Sequence, residues 1–376
     1  MRVISASNVN EAYMAGLTLL RDYGILSPSR AGHVLVVPFP VVTSYERPIE
    51  RVLFDARRDA NPFFHLMESL WMLAGRNDAR WLDKFVSNFS ARFAEDSGVQ
   101  HGAYGHRWRS HFMLDGSEDD LAFGFELDQL DRVVAMLKND PFDRRVVIQM
   151  WDPEIDLGAS ARDVPCNLCV LPRIQGNKLD ITVFCRSNDA IWGAYGANAV
   201  HFSVLQEYLA ARIGVEMGTY YQISNNFHAY VKVFEEKASN CDYPTMSNLY
   251  KHGAVKPTPI VIDAERFDES NLYKHGAVKP TPIVIDAERF DEDLKYFFQS
   301  PDGPNTHGYY NKFFQEVAVP MFYSYMAWRN KDISTALAKI DDMPASCDWK
   351  VACHQWYVRR ISKIDHVEEA KNESSK

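Results

Sequence analysis

The sequence predicts an α/β chain built on one large, twisted, mixed β-sheet covered by helices. Three stretches carry that prediction. "NLCVLPRIQGNKLDITVFCRSND", Asn167 to Asp189, reads as a hairpin, two apolar strands around a Gly-Asn turn. "NPFFHLMESLWMLAG", from Asn61, and "NAVHFSVLQEYLAARIG", from Asn198, have the dense apolar spacing of buried helices. With 376 residues, 46% hydrophobic and 13% aromatic, the chain can bury a core of that size.

"MRVISASNVNEAYMAGLTLL" is amphipathic and predicts a folded first helix; it lacks the charged-then-apolar pattern of a leader. The helix from Asn61 should stop at Gly75, and "HGAYGHRWRS" follows a polar loop. "LDQLDRVVAMLKNDPFDRR" is an amphipathic helix that ends before Pro141, and "RRVVIQMWD" a β-branched strand. "GTYYQISNNFHAYV" is a strand running into a polar, aromatic segment. Further on, Ser247 to Glu269, "SNLYKHGAVKPTPIVIDAERFDE", recurs unchanged as Ser270 to Glu292. Two copies do not make a solenoid, so one copy is expected on the packed path and the other in an excursion with no catalytic role. We expect a catalytic core over residues 1–240. Residues 241–376 should form a mainly helical extension that carries the duplication and ends in a charged, disordered tail, "HVEEAKNESSK".

A net charge of −9 argues against a general nucleic-acid surface, so an anionic ligand must meet a local basic cluster. No long apolar run suggests a membrane span. Six cysteines in a chain of this size suggest free thiols in a reducing cytoplasm, the host's if the chain is phage-encoded, rather than a disulfide framework.

The chemistry concentrates around three cysteines. A thiol becomes a useful nucleophile only as thiolate, which nearby positive charge favours. Arg144 and Arg145 precede Cys166 on the neighbouring strand, and Arg186 follows it on the hairpin's far strand. Cys169 and Cys185 read as core. Cys166-x-x-Cys169 could begin a zinc site, but the remaining candidates, Cys347, Cys353 and His354, are remote in sequence, so no metal is expected. "DRR" and "RS" suit a phosphate, since an arginine forks onto it and a serine hydroxyl adds a donor; surface ion pairing is the plainer alternative. Glu68 sits inside an apolar helical run, so it is either satisfied by hydrogen bonds or kept for proton transfer.

"ESLWMLAG", "DARWL", "YGHRWR", "DPFDRR", "PCN", "CRSND", an Asn after a glycine turn and "HAY" occur in one order that resembles the thymidylate synthase superfamily, over roughly Ser27 to Tyr230. The spacing agrees: Cys166 and Arg186 are 20 positions apart, Asn198 and His228 are 30. The resemblance implies that Cys166 adds to C6 of a pyrimidine nucleoside monophosphate, with 5,10-methylenetetrahydrofolate as co-substrate. Arg186 and Ser187, with Arg30, would hold the phosphate. Arg144 and Arg145 would reach the partner subunit's phosphate in a homodimer that packs sheet on sheet. His228 and Tyr230 would bind the sugar, Glu68 and Tyr104 would move protons, and Asp189 would contact the pterin. Asn198 would select the base, favouring dUMP over dCMP, unless it merely caps the helix that follows.

The chain departs from the family pattern in ways that bear on the product. Asn167 follows the cysteine where synthases usually have His. "NFSARFAEDSG" replaces a Trp-bearing stretch that lies against folate. The segment before Asn198 is one residue longer, and the usual closing apolar C-terminus gives way to "DWKVACHQWYVRR" and a polar tail. A wetter site favours water over hydride as the final acceptor partner, hence hydroxymethylation over methylation. The competing class is a nucleotide-binding or zinc-stapled relative without turnover.

Overall fold

The computed structural model describes residues 1–114, 125–238, 273, 278–345 and 347–373. Its main sheet has six strands, in the order β1 (Arg2–Ala6), β4 (Val41–Tyr45), β11 (Glu216–Ser224), β9 (Lys178–Cys185), β8 (Asn167–Gln175) and β7 (Ile148–Gln149). The β1–β4 and β9–β11 pairs are parallel and the rest antiparallel, so the sheet is mixed, as expected. A smaller sheet holds β10 (Asn188–Asp189), β12 (Phe227–Tyr230), β3 (Gly32–Val36) and β2 (Ile25–Ser29). A short pair, β5 (Met113–Leu114) and β6 (Phe125–Glu126), lies apart.

The hairpin forms as the sequence predicts. Gly176 takes φ +62 at the turn, a conformation that costs glycine nothing, and Gln175 pairs with Lys178 across it. Helix α1 (Val9–Tyr23) starts later than expected because the first residues pair as β1, and Asn8 caps it by accepting from Asn10 N and Glu11 N. The strand expected over "RRVVIQMWD" shrinks to β7. There the Gln129 side chain bonds both backbone groups of Gln149, at 2.8 and 2.9 Å, in place of a ladder neighbour.

Helix α2 (Pro62–Leu73) is capped by Asn61 and ends before Gly75 at φ +69. The short helices α3 (Phe89–Phe93) and α4 (Tyr104–Arg109) follow, then α5 (Gln129–Asn139) and α6 (Pro153–Asp156). Helix α7 (Asn198–Ile213) crosses one face of the sheet with Phe202, Leu205 and Leu209 buried. Its Gln206 Nε2 bonds Leu179 O at 2.8 Å and Gly218 O at 3.2 Å, which ties the helix to β9 and β11. On the other face Thr182, Phe184, Tyr221 and Ile223 are only half-buried, and Leu171 is exposed.

After α8 (Val231–Ala238) the described chain resumes in the second repeat copy, where Tyr273, Val278, Ile283, Val284 and Phe290 are all buried. The first copy lies outside the described residues. Helices α9 (Phe290–Phe297), α10 (Val319–Arg329), α11 (Ile333–Asp341) and α12 (Asp348–Glu373) complete the chain. Through Trp356 and Tyr357, α12 packs on Phe63 of α2. The tail expected to be disordered continues this helix to Glu373. None of the described helices is long and apolar enough to cross a membrane.

Candidate active site

Cys166 sits just before β8, at the edge where both sheets meet. Tyr104, at the start of α4, places its hydroxyl oxygen between two backbone N–H groups, Cys166 at 3.1 Å and Asn167 at 3.2 Å. That pair of bonds fixes the thiol-bearing turn. Burial holds the Tyr104 hydroxyl well above its ordinary range, so it stays protonated and keeps a hydrogen to donate.

Arg186 closes the other side. Its N–H donates to Cys166 O at 2.9 Å, and its guanidinium bonds Pro165 O at 2.8 Å and Val164 O at 3.0 Å. The arginine therefore builds the turn as well as charging it. The Cys166 thiol is nonetheless pushed up: burial dominates, Arg186 and Arg30 pull down, and Asp163 pushes up. Arg186 and Arg30 thus act in the expected direction, and burial outweighs them. Cys169 and Cys185 are also raised by burial, with no arginine to offset Cys169.

The structure brings Arg30, Tyr230, Arg186 and Cys166 into one electrostatic neighbourhood; Arg30 stands exposed beside the β2–β3 turn. Ser187 lies next to Arg186, half-buried, and His228 is buried beside Asp189 on β12. Arg144 and Arg145 do not join this cluster. Both are exposed, and Arg145 pairs with Asp143 at 2.8 Å.

Glu68, one turn from the end of α2, approaches His201 of α7 to 2.9 Å, although neither atom makes an aligned hydrogen bond. His65, one turn earlier, is held neutral by burial, with Arg58 and His201 adding to the effect. Asn198 does not cap a helix. The segment before it, Ala190–Ala197, is a π-helical turn continuous with α7, and Asn198 is the first residue of that helix rather than its N-cap. Asn198 Oδ1 accepts from Asn167 Nδ2 at 3.3 Å, and its Nδ2 donates to Asn188 Oδ1 at 3.1 Å. An amide offers two donor and two acceptor positions, so one of each remains for a ligand.

Asp189 caps the π turn, accepting from Ile191 N at 2.9 Å and Trp192 N at 2.5 Å. Its other oxygen, Oδ2, is buried near the Tyr230 backbone without an aligned bond. Next to it the Trp192 ring is 48% exposed and lies over the guanidinium of buried Arg58, 4.3 Å from its centroid. The sequence reading missed Asp163, Asn167, Asn188, His201 and this Arg58–Trp192 pair. Only Asn167 carried a signal, as the residue after the cysteine that breaks the family pattern. The remote zinc candidates stay remote: Thr281 donates to Cys347 Sγ at 3.3 Å, and His354 pairs with Asp341.

A thiol, a basic cluster, a buried acid and an amide with spare valences suit nucleophilic addition to an anionic heterocycle. Comparisons with known proteins agree. The family model described as thymidylate synthase matches residues 58–248. The deoxyuridylate hydroxymethyltransferase of Pseudomonas phage M6 is 43% identical over 97% of this chain and 96% of its own. Those of Bacillus phage SP01 and Delftia phage PhiW-14 are 35% and 27% identical, each over 63% of this chain and 61% and 64% of their own. The chain belongs to the thymidylate synthase family.

Proposed function

We propose that the chain transfers a one-carbon unit from 5,10-methylenetetrahydrofolate to C5 of dUMP and completes the reaction with water, giving 5-hydroxymethyl-dUMP. The observation that carries this reading is the 43% identity to a deoxyuridylate hydroxymethyltransferase over nearly the full length of both chains. The local geometry supports it. The stretch that would bring an indole beside folate is α3, whose Phe89 is buried and whose Phe93 points outward. Helix α12 is spent on α2 and the turn before it, where Arg359 and Arg360 bond Asp59. Water therefore meets less obstruction than hydride transfer tolerates.

In this reading Cys166 adds to C6, and its proton leaves as the C–S bond forms. Arg186, Ser187 and Arg30 hold the phosphate, while His228 and Tyr230 hold the sugar hydroxyl. Asn198 offers its spare donor to O4 and its spare acceptor to N3–H, the pattern of uracil rather than cytosine. Glu68 and Tyr104 handle the proton at C5. The bound folate supplies the methylene carbon. Asp189 would hold its pterin: the partnerless Oδ2 suits a ring N–H, and the exposed Trp192 face beside it suits a flat ring.

The half-buried apolar outer face of the main sheet suits a second copy, and the exposed Arg144 and Arg145 would then serve that copy's phosphate. Residues 1–240 would form the catalytic unit and 241–376 an extension that packs on it. Incubation with dUMP or dCMP plus the folate, followed by product mass, tests the function. A gain of CH2O on dUMP is expected. A gain of CH2 makes the chain a thymidylate synthase, a preference for dCMP makes it a cytidylate enzyme, and no product from either favours a binding protein.

A further inference from the structure

Hydroxymethylation needs two proton removals, one from C5 and one from the water that attacks the methylene. Glu68 and Tyr104 are committed to the first. A second carboxylate stands beside the nucleophile. Asp163 lies three residues before Cys166 and is half-buried. Its Oδ2 accepts from Gln100 Nε2 at 2.7 Å, and the Gly102 backbone N–H also bonds the carboxylate. Gly102 makes room for the group: a β-carbon there would come within 2.9 Å of Asp163 Oδ2. Two residues on, Tyr104 bonds the backbone of Cys166 and Asn167. Loop 100–104 thus runs along the nucleophile turn, holding Asp163 at one end and the thiol at the other.

The placement works against the first step. The Asp163 charge pushes the Cys166 thiol up and opposes Glu68. A carboxylate held by a dedicated amide in a spot that hinders thiolate formation points to a task later in the cycle. Burial, with Glu68 adding to it, raises its own proton affinity, which makes a stronger base.

We propose that Asp163 is the general base for the attacking water, and so a determinant of the hydroxymethyl product. The step balances as follows. The water oxygen bonds the exocyclic methylene carbon, and one water proton passes to the Asp163 carboxylate. The π pair of C5=CH2 moves onto C4–O; it then returns to form C5=C6 as the C6–S bond breaks and Cys166 leaves as thiolate. Asp163 releases its proton to solvent.

The proposal rests on the hydroxymethyltransferase reading, and the test separates the two: a purely methylated product from the unaltered protein ends that reading before any variant is made. Asp163→Asn should lower hydroxymethyl product about 100-fold, as loss of a general base does. Folate-free exchange of the dUMP C5 hydrogen in deuterated water, which needs only Cys166 addition and its reversal, should be at least as fast as in the parent, because the charge that opposes the thiolate is gone. An added thiolate needs no base, so it should trap the methylene as a thioether and restore turnover, while Asp163→Glu should recover part of the hydroxymethyl yield. Hydroxymethyl product at the parental rate from Asp163→Asn would overturn the proposal. So would a parallel loss of C5 exchange in both the Asn and Glu variants, since that marks a structural role.

Discussion

Two buried polar regions of this molecule are built differently. Along the seam where the second repeat copy meets the core, carboxylates use their oxygens. Glu207 accepts from Ile283 N at 2.6 Å, Val284 N at 2.9 Å and Arg51 at 2.7 Å. Asp348 accepts from Tyr273, Thr281 N and Trp349 N. Around the thiol the opposite holds: Glu68 Oε2, Asn167 Oδ1, Asp189 Oδ2 and His201 Nε2 are buried without an aligned partner. An unmade bond on a buried group costs about 1–3 kcal/mol; the seam's carboxylates avoid that cost, although Arg51 Nε and Nη1 beside them lack a partner, whereas around the thiol the acceptors themselves are left open. The seam therefore stabilises the fold, and the thiol region is left ready to bind.

Substitutions should separate the two regions. The largest effect belongs to the thiol. Cys166→Ser should lower turnover by more than about 1,000-fold with dUMP still bound, because a hydroxyl is far less available as an anion. Cys169→Ser should stay within about twofold. A dead Cys169 variant beside an active Cys166 variant would reverse the assignment.

In the seam, Glu207→Gln removes the carboxylate that buried Arg51 bonds directly and should cost about 3–5 kcal/mol in denaturant unfolding. The folded fraction should keep its product ratio; a loss below about 1 kcal/mol would deny the seam its structural role.

Arg186→Ala comes next, weakening dUMP binding by about 2–3 kcal/mol in calorimetry. Mixing an Arg144/Arg145 double variant with Cys166→Ser should restore some activity through shared sites, and no recovery after subunit exchange would argue that each chain works alone.

Asn198→Asp replaces a donor with an acceptor and should move the kcat/KM preference toward dCMP by about tenfold or more. An unchanged ratio would return Asn198 to a packing role.

The smallest effect is a pH dependence. Burial raises the Asp59 carboxyl, but Arg360 and Arg359 outweigh it and hold it below its ordinary value of 3.8. Its contribution to docking α12 is thus complete above that value and lost as pH falls through the lower, folded one. Compared with Asp59→Asn, the parent should lose up to about 1 kcal/mol of extra stability as pH falls from roughly 5 through the lowered folded value; equal pH profiles for the two would remove the ion pair from the account.

Local patterns made much of this molecule legible in the sequence. Alternating strands around Gly176-Asn177, the Asn61 cap with Gly75 as stop, and the fixed spacing of Cys166 to Arg186 are short-range features whose physics does not depend on distant residues. The errors fell where a distant partner overrode local preference. The opening residues pair with β4 rather than extend α1, and the Gln129 side chain takes over the backbone of Gln149.

The sequence by itself therefore determined the family and the mixed sheet and singled out Cys166 as the candidate nucleophile, because motif order and strand and helix periods are written along the chain. Only the tertiary structure set Asp163 against Gly102 and Gln100, His201 against Glu68, and Asn198 between Asn167 and Asn188. Those contacts join residues 10 to 133 positions apart, and no local period records which buried polar groups will meet. That outcome follows from how the α2, α4 and α7 layers pack on the hairpin, and from a π-helical turn that leads into α7 at the buried Asn198.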